Sequence, residues 1–509
     1  MNFCTLIILD GFGENSEVKG NAIRLTGTPY IDSLKKRFPY TYIEASGEAV
    51  GKVAGQMGDS EVGHMNMGSG RVVMQNILLI NNAIKDGSFF KNERILSVLK
   101  HVKDNNSALH LFGLLSDGGV HSMYQHLFAY IEAAKQQGID KVYVHVITDG
   151  RDTGVKSGRG YIDILEKFLK KTGIGKIASI TGRAYAMDRE KNYDRTKKFY
   201  DCIIHGDGEE YSSADEAIKA SYDSGVTDEF VTPKVILDKG IKHTIQDGDS
   251  VIFFNFRKDR AVQILQTLVN KDFDKFDVVD FKDIKVLTPI PINAEFENTV
   301  IHAFDNQTLA NSLCEVVCKD GGKVLKVSES TKYAHVTYYF NGAIEEPFEN
   351  EDRKLFVSDK IQNFAEQPRM QADKIGDYVV DQIKNNDYRL IVVNVTNGDM
   401  IGHTGDMEAA KVAVQVIDEV TKNMVEATLK KGGFAIVTAD HGNIEQMLTP
   451  TGEPFTAHTT NKVPFIVADY KSVGKKLYSD GKLADVAPTI LDLLDMAKPD
   501  EMNGKSLIK

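Results

Sequence analysis

Six short apolar runs constrain the fold more than any other feature of this 509-residue sequence. They lie at 4–9, 109–115, 141–147, 251–256, 391–395 and 434–438, and are rich in Val, Ile, Leu and Phe. Longer amphipathic stretches such as 121–137 and 408–430 separate them. Runs of this length fit buried strands of a mostly parallel sheet, and their alternation with helical patterns reads as α/β. Each run leads into a polar, mostly glycine-punctuated segment: Asp10-Gly11-Phe12-Gly13, Ser116-Asp117-Gly118-Gly119, Asp149-Gly150-Arg151-Asp152, Arg257-Lys258-Asp259-Arg260, Asn397-Gly398-Asp399 and Asp440-His441-Gly442. Ligands of open α/β sheets bind just beyond the carboxyl ends of strands, so six such segments point to active-site loops.

The six segments divide chemically. Those rich in Asp and His lie near the two ends of the chain, and those with Arg lie in the middle. A chain this long exceeds a single core. One domain built from both termini, with a second inserted into it, is therefore expected, with crossings near 73–77 and 302–309.

Composition narrows the function. With 61 Lys+Arg against 72 Asp+Glu the net charge is −11, which argues against broad binding to nucleic acid or anionic membrane. Four cysteines make no disulfide framework. Cys314 and Cys318 would share one helix face and are expected to pack as small apolar residues. The N-terminal run has no basic residue before it and is cut by Asp10, unlike a signal peptide. No apolar stretch reaches the roughly 20 residues that span a bilayer. The expectation is a cytoplasmic protein.

Carboxylates and imidazoles suit divalent ions. The terminal segments offer Asp10, Asp399, His403, Asp440, His441 and His458, with Asp399 and His403 spaced to share a helix face. Cysteine is absent from this set, which disfavours structural zinc. Ser60 sits in Gly58-Asp59-Ser60-Glu61-Val62-Gly63-His64. A serine hydroxyl becomes a competent nucleophile when a divalent ion lowers its pKa. The middle segment carries His121, Arg151, Asp152, Arg183, Arg189, Arg257 and Arg260, natural clamps for phosphate and carboxylate. Taken singly these residues have plainer readings: Ser60 as a helix N-cap, Lys332 as a surface lysine, the arginines as surface ion pairs. No complete dinucleotide-binding, P-loop or nucleophile-elbow motif competes.

Together, and in this order, the motifs resemble those of the cofactor-independent (2,3-bisphosphoglycerate-independent) phosphoglycerate mutases of the alkaline phosphatase superfamily. The resemblance runs from Leu9-Asp10-Gly11-Phe12-Gly13 to Ala457-His458-Thr459-Thr460-Asn461 and covers essentially the whole chain. It implies an alkaline-phosphatase-like α/β core, residues 1–75 and 308–509, with an inserted transferase-like α/β domain, residues 76–307, joined by two hinges. It also implies interconversion of 3-phosphoglycerate and 2-phosphoglycerate, small-molecule substrates, in a monomer that needs no 2,3-bisphosphoglycerate. Two divalent ions, Mn2+ above Co2+ or Mg2+, would be held by Asp399, His403 and His458, and by Asp10, Ser60, Asp440 and His441. Ser60 would become a transient phosphoserine, Asp152 would transfer protons, and Lys332 would offset phosphoryl charge. His121, Arg151, Asp152, Arg183, Arg189, Arg257, Arg260 and Lys332 would bind substrate. The alternative is a metal-dependent phosphatase or another phosphomutase of the same superfamily. Five positions depart from the family's usual pattern. Asp59 replaces a common Asn beside Ser60, Met123 a frequent His, Tyr193 a frequent Trp, Lys258 a frequent Pro, and Asn397-Gly398 a frequent Asn-Pro. Asp59 adds a carboxylate that would either repel phosphate or strengthen metal binding.

Overall fold

All six apolar runs are strands in the computed structural model, which describes residues 2–305 and 309–509. The chain separates into two compact units, one formed by its two terminal segments up to Gln75 and one by the middle segment from Asn76. The expected second crossing, with its boundary between 307 and 308, falls partly on residues 306–308 and so lies outside the described residues.

The terminal unit is built on a seven-stranded sheet ordered Glu351–Phe356, Val324–Glu329, Leu390–Val395, Cys4–Leu9, Phe434–Thr438, Val463–Ala468 and Tyr40–Ile43. The first five strands run parallel and the last two pairings are antiparallel. Every residue of Cys4–Leu9, Leu390–Val395 and Phe434–Thr438 is buried. Such strands have no polar face, which is why they read as continuous apolar runs rather than alternating ones. The register pairs Leu9 with Val395 and Ile8 with Thr438. Their carboxyl ends are therefore level, and the residues just beyond them emerge at one edge. The expected helix at 408–430 is Met407–Lys430, opened by Asp406, whose carboxylate accepts the Glu408 and Ala409 N–H groups at 3.0 Å. Cys314 and Cys318 lie in the helix Leu313–Lys319 and are buried among apolar residues.

The middle unit holds an eight-stranded sheet ordered Ile301–His302, Lys285–Thr288, Ser250–Phe253, Leu109–Leu114, Val142–Thr148, Lys176–Gly182, Lys234–Ile236 and Glu209–Tyr211. All pairings are parallel except that of Lys176–Gly182 with Lys234–Ile236. The run expected at 251–256 is a strand only over Ser250–Phe253. Beyond it the chain turns aside, and the Phe256 N–H donates to the His121 carbonyl at 2.8 Å, bringing the segment after this strand beside the His121 loop. Among the described residues no helix is long and apolar enough to cross a membrane.

Candidate active site

In the terminal unit, Asp10, Asp399 and Asp440 leave the carboxyl ends of three adjacent parallel strands. Close approach there requires glycine. Gly11 has φ +70°, and a Cβ on it would sit 2.7 Å from the Asp399 Cα. Gly63 faces Asp440 as closely, and a Cβ on it would sit 2.8 Å from the Asp440 Cβ. Asp399 lies in the first turn of the short helix Asn397–Gly402, and His403 follows on the same face with its Nε2 3.1 Å from Asp399 Oδ1.

Ser60 is the first residue of the helix Ser60–Ser69 and not its cap. The cap is Asp59, whose Oδ1 accepts the Val62 N–H at 2.8 Å. The Ser60 side chain is thereby free for other work. Its Oγ lies 3.0 Å from His441 Nε2 and 3.3 Å from Asp10 Oδ1, and accepts from Lys332 Nζ at 2.6 Å. Lys332 is buried, contrary to a surface reading of that residue. Its ammonium also reaches Asp10 Oδ1 at 2.9 Å and Asp399 Oδ2 at 2.6 Å. Burial works against its charge, but Asp10, Asp399 and Asp440 outweigh it and hold the group above the usual lysine range.

The donor set fits divalent cations. His403 and His458 each point Nδ1 at a backbone carbonyl, Thr456 O at 2.7 Å and Gly58 O at 2.8 Å. That contact places the ring proton on Nδ1 and leaves Nε2 as a lone-pair donor. The two Nε2 atoms then face each other at 3.0 Å, both 3.1 Å from Asp399 Oδ1. Three lone-pair donors converging without a hydrogen between them suit a cation. A second group, Asp10, Asp440 and His441, likewise brings one ligand atom from each residue within 4.8 Å of the others. There the buried Asp440 Oδ2 accepts no hydrogen bond from the described residues. Three buried carboxylates against one ammonium leave negative charge that a low-dielectric site does not tolerate uncompensated. Burial, with Asp440 next, pushes the Asp10 carboxyl up.

Residues outside the expected set orient these ligands. Asn394 donates to Asp10 Oδ2 at 2.6 Å and approaches His64 Nε2 at 3.0 Å, while His64 Nδ1 lies 3.3 Å from Asp440 Oδ2. Asn443 donates to Asp399 Oδ1 at 2.9 Å. The signal for Asn394 was available, since it is the one polar residue within the apolar strand Leu390–Val395.

In the middle unit, Arg183 is buried and its Nη1 bridges Asp149 Oδ1 at 2.7 Å and Asp152 Oδ2 at 2.5 Å. Asp149 also accepts the backbone N–H of Arg151 and Asp152, which fixes that loop. His121 lies between Asp152 and Asp259, 4.0 Å from each. Burial, then Arg183, pushes its pKa down to about 4, so the ring is neutral near pH 7. Asp259 pairs with Arg189 at 2.5 Å and Arg257 at 3.0 Å. Arg260 donates to Met187 O at 2.8 Å, and its acidity is increased by burial and by Arg183, Arg189 and Arg151. Cations gathered around Arg260 in this way form an anion-attracting surface. Arg151 lies 3.6 Å from Glu229 and its side chain is more than half exposed. Of the eight expected substrate residues, seven gather in this unit, and Lys332 lies in the other beside Ser60.

Fold and clusters together define a class: an α/β enzyme with candidate sites for two cations and a serine hydroxyl beside them. Residues 80–291 match the family described as BPG-independent PGAM N-terminus. The chain is 46% identical over 506 residues to the 2,3-bisphosphoglycerate-independent phosphoglycerate mutase of Clostridium botulinum, covering 99% of each chain. It is 47% identical over 507 residues to that of Clostridioides difficile, covering 99% of this chain and 98% of the relative. A Leishmania mexicana phosphoglycerate mutase, crystallised at low cobalt concentration, aligns with a TM-score of 0.59 at 31% identity, over 100% of this chain and 98% of the other. The chain belongs to the 2,3-bisphosphoglycerate-independent phosphoglycerate mutases.

Proposed function

We propose that the protein interconverts 3-phosphoglycerate and 2-phosphoglycerate without 2,3-bisphosphoglycerate, using Ser60 to accept and return the phosphoryl group. The observation that carries this is the surroundings of Ser60 Oγ, with His441 Nε2 at 3.0 Å and Lys332 Nζ at 2.6 Å. Asp399, His403 and His458 would hold one divalent ion, and Asp10, Ser60, Asp440 and His441 the other, with Mn2+ favoured over Co2+ or Mg2+. When bound, the ions supply positive charge that favours ionised Ser60 and offsets charge on the transferring group.

In the first half-reaction the Ser60 Oγ–P bond forms and the P–O3 bond breaks. In the second, O2 of the glycerate takes the phosphoryl and the P–Oγ bond breaks. Ser60 would attack and leave as the ionised hydroxyl that bound ions favour, so only the glycerate oxygens exchange a proton within the cycle: Asp152 gives it to O3 in the first half and recovers it from O2 in the second. Lys332, held charged by its carboxylate neighbours, donates to Oγ and to the phosphoryl oxygens as their charge grows. Arg189, Arg257 and Arg260 bind the glycerate carboxylate through forked hydrogen bonds, with Arg151, Arg183 and neutral His121 completing the surface. The terminal unit thus carries the phosphoryl chemistry and the middle unit the substrate contacts. The reading makes the protein a cytoplasmic monomer acting on a small molecule.

The test is turnover of 3-phosphoglycerate with manganese and no 2,3-bisphosphoglycerate, following 2-phosphoglycerate and inorganic phosphate together, with a chelated control. Prompt 2-phosphoglycerate that disappears on chelation is expected. Phosphate release without isomerisation would make the protein a phosphatase instead.

A further inference from the structure

We propose that Lys52 and Asp59 form a charge-balancing pair that sets anion affinity at Ser60, with Lys52 a positioning residue acting through Asp59. The inference rests on Ser60 being the phosphoryl acceptor.

Asp59 does two things at once. Its Oδ1 caps the helix through the Val62 N–H at 2.8 Å, and its Oδ2 accepts from Lys52 Nζ at 2.6 Å. Only the first is cap chemistry, and a neutral Asn caps as well as Asp. The negative charge is therefore not needed to hold the helix. It sits one residue from the acceptor hydroxyl, at a helix N-terminus that would otherwise favour an incoming anion. Left alone, this carboxylate would oppose the phosphoryl group that Ser60 receives.

Lys52 is placed to cancel it. The turn that carries it is tightly pinned: Lys52 N–H donates to Gly47 O at 3.0 Å and Gln75 N–H to Gly51 O at 2.8 Å. Gly51, at φ +82°, packs so closely that a Cβ on it would fall 2.1 Å from Val73 O. The side chains of Lys52 and Asp59 are 14% and 32% exposed, enough burial for the pair to interact more strongly than a surface ion pair. The carboxylate that caps the nucleophile's helix is thus offset by Lys52, while the other acidic residue of that turn, Glu61, is exposed to solvent.

A double-mutant cycle tests this. Wild type, K52M, D59N and K52M/D59N, each loaded with manganese, are compared for KM and kcat on 3-phosphoglycerate and for calorimetric binding of inorganic phosphate. K52M is expected to weaken phosphate binding and raise KM about tenfold, with kcat changing less. D59N, which keeps the cap, is expected to leave thermal stability unchanged and to tighten phosphate about threefold. The double variant reverses most of the K52M loss, because the two residues act as one unit, and K52R, which keeps the pair, restores affinity to K52M. Multiplicative effects in the double variant, or K52M with unchanged KM and phosphate affinity, would overturn the pair. Those results with wild-type mutase turnover intact leave the Ser60 reading standing. A wild type that neither isomerises 3-phosphoglycerate nor binds phosphate removes both.

Discussion

His403 and His458 meet Nε2 to Nε2 at 3.0 Å, each ring anchored by Nδ1 to a backbone carbonyl. Two anchored lone pairs on one carboxylate oxygen are a ligand arrangement. His458→Ala is expected to lower the manganese bound after gel filtration from about two ions per chain to about one. It should also lose most of the rise in thermal midpoint that manganese gives the wild type, since an ion that binds only the folded state stabilises it. Undiminished metal content, measured by plasma emission, would show that these imidazoles do not hold an ion.

Ser60→Ala should abolish turnover, by about 10⁴-fold or more, and leave the fold intact. The separation is clean because Asp59 and not Ser60 caps the helix. Circular dichroism and thermal midpoint in the variant should match the wild type. Substantial mutase activity in Ser60→Ala would remove it as the acceptor. A loss of helix signal would mean that its hydroxyl supports the helix after all.

The strands and their order of chemistry were legible in the sequence because buried parallel strands carry apolar residues on both faces, as in Cys4–Leu9 and Leu390–Val395. Asp399 and His403 were legible from helical spacing. Lys332 was reached only through the family resemblance. Nothing in Ser330-Thr331-Lys332-Tyr333 marks its lysine as buried, because the groups it meets, Asp10 and Asp399, are remote in sequence. The division of labour between Asp59 and Ser60 was also hidden, since either residue type caps a helix and only backbone geometry decides which one does.

Lys332→Met tests the burial of that ammonium. Methionine fills similar space without charge, so turnover should fall about 10²–10³-fold through lost charge stabilisation of the transferring group. Lys332→Arg should not rescue it, because the wider guanidinium does not fit where one nitrogen serves Ser60, Asp10 and Asp399 together. A kcat within about threefold of wild type in Lys332→Met would assign the residue a packing role only.

His126 makes acid sensitivity of the middle unit measurable. Its ring is fully buried on the helix Tyr124–Gln136, Nε2–H donates to Asn81 Oδ1 at 2.8 Å, and Nδ1 has no partner among the described residues. Burial pushes its pKa down to about 4. Between about pH 6.5 and 4 the unfolded chain takes up a proton that the folded one refuses, so stability falls as pH falls through that window. The full effect is about 3 kcal/mol at this site. His145, whose pKa burial and then His110 push down, acts in the same direction. His126→Gln keeps a donor for Asn81 and removes the titration. Its denaturant midpoint should therefore drop less than the wild type's between pH 7 and 4.5, followed by circular dichroism because the chain has no Trp. Parallel decline in both proteins would show that His126 is protonated in the folded state at pH 4.5 and that its burial carries no such penalty.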